Sequence, residues 1–304
     1  MILTCFGTTT SAQWCYADQY DVSHLVKVPP STKANPSKVI SIYLETDRFT
    51  RNALGSDAAT ESWLRDQYLA MARLYGNEGI STALTGMFWP ANNAQDWSSN
   101  LINNPGELLQ RFGELRQDTP DGRLKHFISR RGRQAGIAWL GVLESNYFTF
   151  RDNNGVLNHA GPYAISLGLT DPDYWNPAVL AHEMGHNLGS RHTHACAWGT
   201  GNQVLDRCAS PECGGNPGLS ANAQNNTIMS YCGSVSELTN GFGTEPGNLI
   251  RSRVTNARRD LSDGHCPIIL YLASDVSGTY DVSGEVIVHP GFESENVTIL
   301  IGCE

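Results

Sequence analysis

The sequence predicts an α/β fold: segments of strand pattern alternate with segments of helical periodicity from residue 38 to residue 188, and helix starts are punctuated by proline and asparagine. A strand over 39–46 leads into an amphipathic helix over 58–75, with Trp63, Tyr68, Leu69 and Ala72 at helical spacing, and then a strand over 80–89. The helix over 105–116 carries Pro105 in its first turn and aligns Leu108, Leu109, Phe112 and Leu115 on one face. Strands follow over 124–129, 136–143 and 162–169. The next helix spans 176–188, with Asn176 as its cap, Pro177 at its first position and Gly189 just past its end. A last helix, over 246–259, turns Leu249, Ile250 and Val254 to a core and four arginines to solvent. Strands joined by helical crossovers run parallel, so a mixed, mostly parallel twisted sheet is expected.

The 304 residues suffice for one main domain with appendages. A content of 40% hydrophobic and 17% charged residues excludes wholesale disorder. Thirty acidic against twenty-one basic residues give a net charge of −9, the wrong sign for neutralising phosphates, so no nucleic-acid partner is expected. No segment approaches the run of about 20 apolar residues that a spanning helix needs. No membrane span is expected, and a monomer is.

A linker over 29–36 separates an N-terminal segment, 1–37, from the main domain, 38–266. The N-terminal segment reads as a remnant of a signal or propeptide. Beyond Cys266 the pattern changes to period two, predicting a partial β-rich segment over 267–304.

The chain has eight cysteines, and four of them, at 196, 208, 213 and 232, fall in a stretch rich in Gly, Asn and Pro. That clustering predicts a loop region stapled by disulfides in an oxidising compartment, outside the cell. The rival is a structural zinc site on Cys208 and Cys213, which lacks the second ligand pair such sites use.

Within the helix over 176–188 stands His182-Glu183-Met184-Gly185-His186, followed by Asn187-Leu188-Gly189-Ser190-Arg191-His192. Histidines four apart lie on one helix face, so both imidazoles can reach one zinc ion, with Glu183 beside them to take a proton from water. Gly189 lets the chain turn sharply, so that His192 reaches the same metal from outside the helix. Three histidines leave the fourth zinc position open, as in catalytic sites.

This HExxHxxGxxH pattern resembles that of the metzincin zinc peptidases, and Asn226-Thr227-Ile228-Met229-Ser230-Tyr231-Cys232 fits their methionine turn. The resemblance implies a metzincin-type domain with an active-site helix and a loop-rich C-terminal subdomain. It further implies one catalytic Zn2+ on His182, His186 and His192, Glu183 as general base and Met229 as a structural floor under the imidazoles. Element order and the surrounding cysteines are most similar to the reprolysin (adamalysin-like) branch, in particular its secreted bacterial members. In that branch the edge strand pairs with extended protein or peptide substrates, which here points to Ala138, Leu140 and Gly141; the alternative is that this segment is only core.

Two positions depart from the branch. Thr193 replaces its usual Asp, and Ser230-Tyr231 is closer to astacin-like and serralysin-like turns, where the tyrosine reaches zinc or the oxyanion; Tyr231 does this or packs. His194 is read as a loop histidine or a support for a ligand. Calcium is left unassigned, because Ile40 stands where the family usually offers Glu. The function expected is a secreted zinc endopeptidase. The alternatives are an inactive domain used as an extracellular adhesion or binding module, and a propeptide in which Cys5 or Cys15 is a latency ligand.

Overall fold

A computed structural model of the chain describes residues 14–15, 38–91, 96–119, 121–152, 154–200, 202–273, 278–290, 292 and 297–301. The elements are β1 (Trp14–Cys15), β2 (Ile40–Thr46), α1 (Arg48–Leu54), α2 (Asp57–Asn77), β3 (Thr82–Phe88), α3 (Ser99–Ile102), α4 (Pro105–Arg116), β4 (Leu124–Ile128), β5 (Ala135–Ala138), β6 (Phe148–Arg151), β7 (Leu157–Ala160) and β8 (Tyr163–Leu167). They continue with α5 (Trp175–Asn187), α6 (Ser236–Asn240), α7 (Thr244–Thr255), β9 (Ile269–Leu272), β10 (Gly278–Val282), β11 (Glu285–Val288) and β12 (Val297–Ile301).

Eight strands form one sheet in the order β1-β5-β8-β4-β2-β3-β9-β11. β2 runs parallel to both β3 and β4, and β4 parallel to β8, whereas β5 is antiparallel to β8. All seven residues of β2 are buried, as a central parallel strand covered by helices on both faces requires. Period two then divides β4 between two cores. Leu124 and Ile128 join Leu64, Tyr68, Met71, Leu180 and Met184 under α2 and α5, and Phe127 joins Phe112, Ile137, Trp139 and Ile165 under α4.

Several expectations shift for identifiable reasons. α5 starts at Trp175, so Asn176 is inside the helix rather than its cap; its side chain accepts from Asp171 N–H at 3.2 Å and donates to Gln67 Oε1 at 2.9 Å. The polar group that organises this start is Asp171, whose Oδ1 accepts the N–H groups of Asp173 and Tyr174. The strand expected over 136–143 ends at Ala138, because Gly141 N–H donates to His186 O (2.9 Å) and Val142 and Leu143 N–H donate to Asn187 O (2.9 and 3.0 Å). Those bonds satisfy carbonyls that the end of α5 leaves open. α7 stops at Thr255, and the N–H groups of Arg258 and Arg259 turn to Glu144 Oε1 instead. Leu115, in the last turn of α4, is 44% exposed and leaves the face formed by Leu108, Leu109 and Phe112.

The β pattern after Cys266 is strand, but it is not confined to an appendage. The four residues of β9 are all buried between β3 and β11, so this segment extends the main sheet, while β10 and β12 form a separate parallel pair. Of residues 1–37, Trp14–Cys15 are described; the linker over 29–36 and Cys5 lie outside the described residues.

Candidate metal centre

One turn of α5 separates His182 from His186, which places their Nε2 atoms 3.0 Å apart. Gly189, at φ +100°, reverses the chain after the helix. His192 then returns to the pair, its ring centroid 5.3 Å from that of His182 and 4.7 Å from that of His186. The three residues each offer one ring nitrogen, all within 4.8 Å of one another, and all three are buried.

What orients the rings is the opposite nitrogen of each. His182 Nδ1 meets Ile228 O at 2.5 Å, His186 Nδ1 meets Ser190 O at 2.7 Å and His192 Nδ1 meets Glu212 Oε1 at 3.0 Å. A carbonyl only accepts, so Nδ1 carries the proton on His182 and His186, and their Nε2 lone pairs face each other at 3.0 Å. Two lone pairs held that close are the arrangement a shared cation stabilises. Three imidazoles, two held from behind by carbonyls and one by a carboxylate, fit a zinc ion.

Glu183, fully buried, lies next in the helix and packs against Gly136 of β5: a Cβ built there would stand 2.6 Å from the Glu183 Cδ. On its outer side β5 is paired in parallel with β1, Trp14 opposite Ala135 and Cys15 opposite Gly136. Of the residues expected at the substrate edge, Ala138 is buried and pairs with Ala164 of β8, Leu140 is buried, and Gly141 is held on the end of α5 through its N–H.

Met229 lies beneath the helix, its Sδ 2.8 Å from where a Cβ on Gly185 would stand. Thr193 accounts for its own place in the sequence: both its N–H (3.0 Å) and its hydroxyl (3.3 Å) donate to Met229 O, tying the third histidine to the methionine turn. Ser230 Oγ donates to the buried Asp206 Oδ2 at 2.6 Å, and the Cys208–Cys232 disulfide closes the same loop. The Tyr231 ring lies 4.7 Å from those of His192 and His194, packed over the histidines. His194 stacks on His192 at 4.9 Å with 8° between planes.

Cys208 and Cys213 belong to different disulfides, Cys208–Cys232 and Cys196–Cys213, which overturns the structural-zinc alternative and accounts for the cysteine cluster. Sequence reasoning missed Gly136, Asp206 and Glu212. The cysteine pairing was the available signal for Glu212, since it adjoins Cys213.

No curated protein matches the chain at a significant level. Among solved structures, a chain described as "Structure of a chaperone-substrate complex" aligns with a TM-score of 0.39 and 17% identity over 75% of this chain and 36% of that chain. This chain thus spans about a third of the length of that protein. The model for metallo-peptidase family M12 matches residues 36–241, well over half of the chain, from just before β2 through α5 and the Met229 turn, and the chain therefore belongs to metallo-peptidase family M12.

Proposed function

We propose that this chain is a secreted zinc endopeptidase that hydrolyses peptide bonds in extended polypeptides. The observation that carries the reading is the convergence of His182, His186 and His192 with Glu183 beside them on α5. Zinc held by these imidazoles would lower the pKa of water toward about 7 and polarise a carbonyl. Glu183 would take the proton from the attacking water and hand it to the leaving amine, a shuttle that a buried carboxylate can perform only if it is held in place. Gly136 of β5 packs against it.

An extended substrate suits the outer edge of β5, and the pairing of Trp14–Cys15 there supports an edge able to take a strand. Ala138, Leu140 and Gly141 would continue that edge; because the Gly141 N–H is held by His186 O, its contact would run through its carbonyl and Cα. The two disulfides favour an oxidising, extracellular setting, and no described helix is long and apolar enough to cross a membrane.

The test pairs zinc content with cleavage of a fluorogenic peptide library by the full chain and by Glu183→Gln, with and without a chelator. One zinc per chain and chelator-sensitive cleavage that Glu183→Gln abolishes is expected. Turnover by that variant well above background would overturn the mechanism, and a zinc-loaded chain without cleavage would favour the binding-module alternative.

A further inference from the structure

The third histidine differs from the other two in what stands behind it. His182 and His186 are held by main-chain carbonyls, which the fold itself places, whereas His192 is held by a side chain twenty residues away, the carboxylate of Glu212. His192 also lies outside α5, in a loop that regular secondary structure does not fix.

We propose that Glu212 is the positioning residue for His192, and that the Cys196–Cys213 disulfide is the device that delivers it. This rests on the assignment of His192 as a metal ligand. Three observations converge. The Glu212 Oε1 is 3.0 Å from His192 Nδ1 and 3.6 Å from His194 Nε2, so one oxygen serves both stacked imidazoles. Glu212 N–H donates to His194 O at 3.3 Å, which sets the segment carrying the carboxylate against the loop carrying the histidines. The bridge then joins Cys213, the residue after Glu212, to Cys196, two residues after His194, with a Cα–Cα separation of 5.9 Å.

A loop of Gly, Pro and Asn has many conformations, and a carboxylate at its tip would spend little time on one nitrogen without a tether. The bridge closes that loop and removes most of those conformations. A carboxylate on Nδ1 fixes the tautomer that presents Nε2 to the metal and makes the imidazole a stronger donor. Trp198 Nε1–H adds a bond of 2.7 Å to His192 O from within the loop that the bridge closes.

The test measures zinc affinity by competition with a chromophoric chelator, alongside the melting temperature of the zinc-free protein. Glu212→Ala is expected to weaken zinc binding on the order of 10–100-fold, Glu212→Gln by less because its amide oxygen still accepts from Nδ1, and neither to move the zinc-free melting temperature. The pair Cys196→Ser with Cys213→Ser is expected to lose as much as Glu212→Ala, and the triple variant no more than either, because both changes act through one contact. Affinity within about twofold of wild type in Glu212→Ala would overturn the positioning role. Additive losses in the triple variant would overturn the link to the bridge. If zinc binds with equal affinity after His192→Ala, the assignment of the third ligand itself fails, which separates that failure from the failure of this inference.

Discussion

The side chain of Glu183 occupies the space in which a Cβ on Gly136 would sit: that position is 2.7 Å from the Glu183 Cγ and 2.6 Å from its Cδ. Gly136 is flanked in β5 by pairing to Ser166 of β8, so the strand cannot simply retreat. The backbone at Gly136 lies outside the left-handed region, and conformational strain plays no part. Gly136→Ala is therefore expected to move the carboxylate while leaving the three histidines in place. A displacement near 1 Å lowers kcat/KM on the order of 100-fold. Zinc affinity should stay at the wild-type value, and steady-state kinetics beside chelator competition checks both.

Met229 is the counterpart below the helix, packed against Gly185 and fully buried. Met229→Ala leaves a void under the histidine helix and should cost about 2–5 kcal/mol in a denaturant titration of the zinc-free chain. Met229→Leu keeps the volume and should cost under about 1.5 kcal/mol. If the floor only fills space, the two variants differ in stability and not in zinc affinity per folded molecule.

Much of the centre was legible in the sequence because its constraints are local. Histidines four apart share a helix face whatever surrounds them, and a glycine three residues on ends the helix at φ +100° as the motif requires. The cap at Asn176 was misread because a buried amide can bond elsewhere in the fold, here to Gln67, 109 residues away. The end of β5 depended on carbonyls at the far end of α5, and no strand pattern carries that information. Gly136 and Glu212 were invisible for the same reason: each matters through one contact made across the fold, with Glu183 and with His192.

On the α4 side of the sheet a cavity of about 370 Å³ is lined by Arg116, Arg123, Lys125 and Arg259. Burial and then the charge of Arg123 push the Lys125 ammonium from 10.5 down to about 8. A base whose folded pKa is lowered carries a full penalty below that pKa, and the penalty disappears as pH rises to the unfolded value. Lys125→Met is therefore expected to melt higher than wild type at pH 7, with the advantage shrinking between pH 8 and pH 10.5. Melting curves of both proteins across that window decide it, and a constant difference would show that Lys125 does not titrate low.

His126 gives the opposite limb. It is buried in β4, its Nε2 lies 2.8 Å from Ser166 Oγ, and burial lowers its pKa from 6.5 to about 3. Between those values the unfolded chain binds a proton that the folded chain refuses, so stability is complete above pH 6.5 and falls as pH drops toward 3. The slope from one such group is about 1.4 kcal/mol per pH unit. A variant isolates the contribution of this one group from the rest of the acid limb. His126→Gln retains a partner for Ser166 and cannot take up a proton in this range. Its stability, from denaturant titrations at pH 6, 5 and 4, is expected to fall by about 1.4 kcal/mol per unit less than that of the wild type. Parallel acid limbs for the two proteins would mean that the folded state admits the proton on His126 after all.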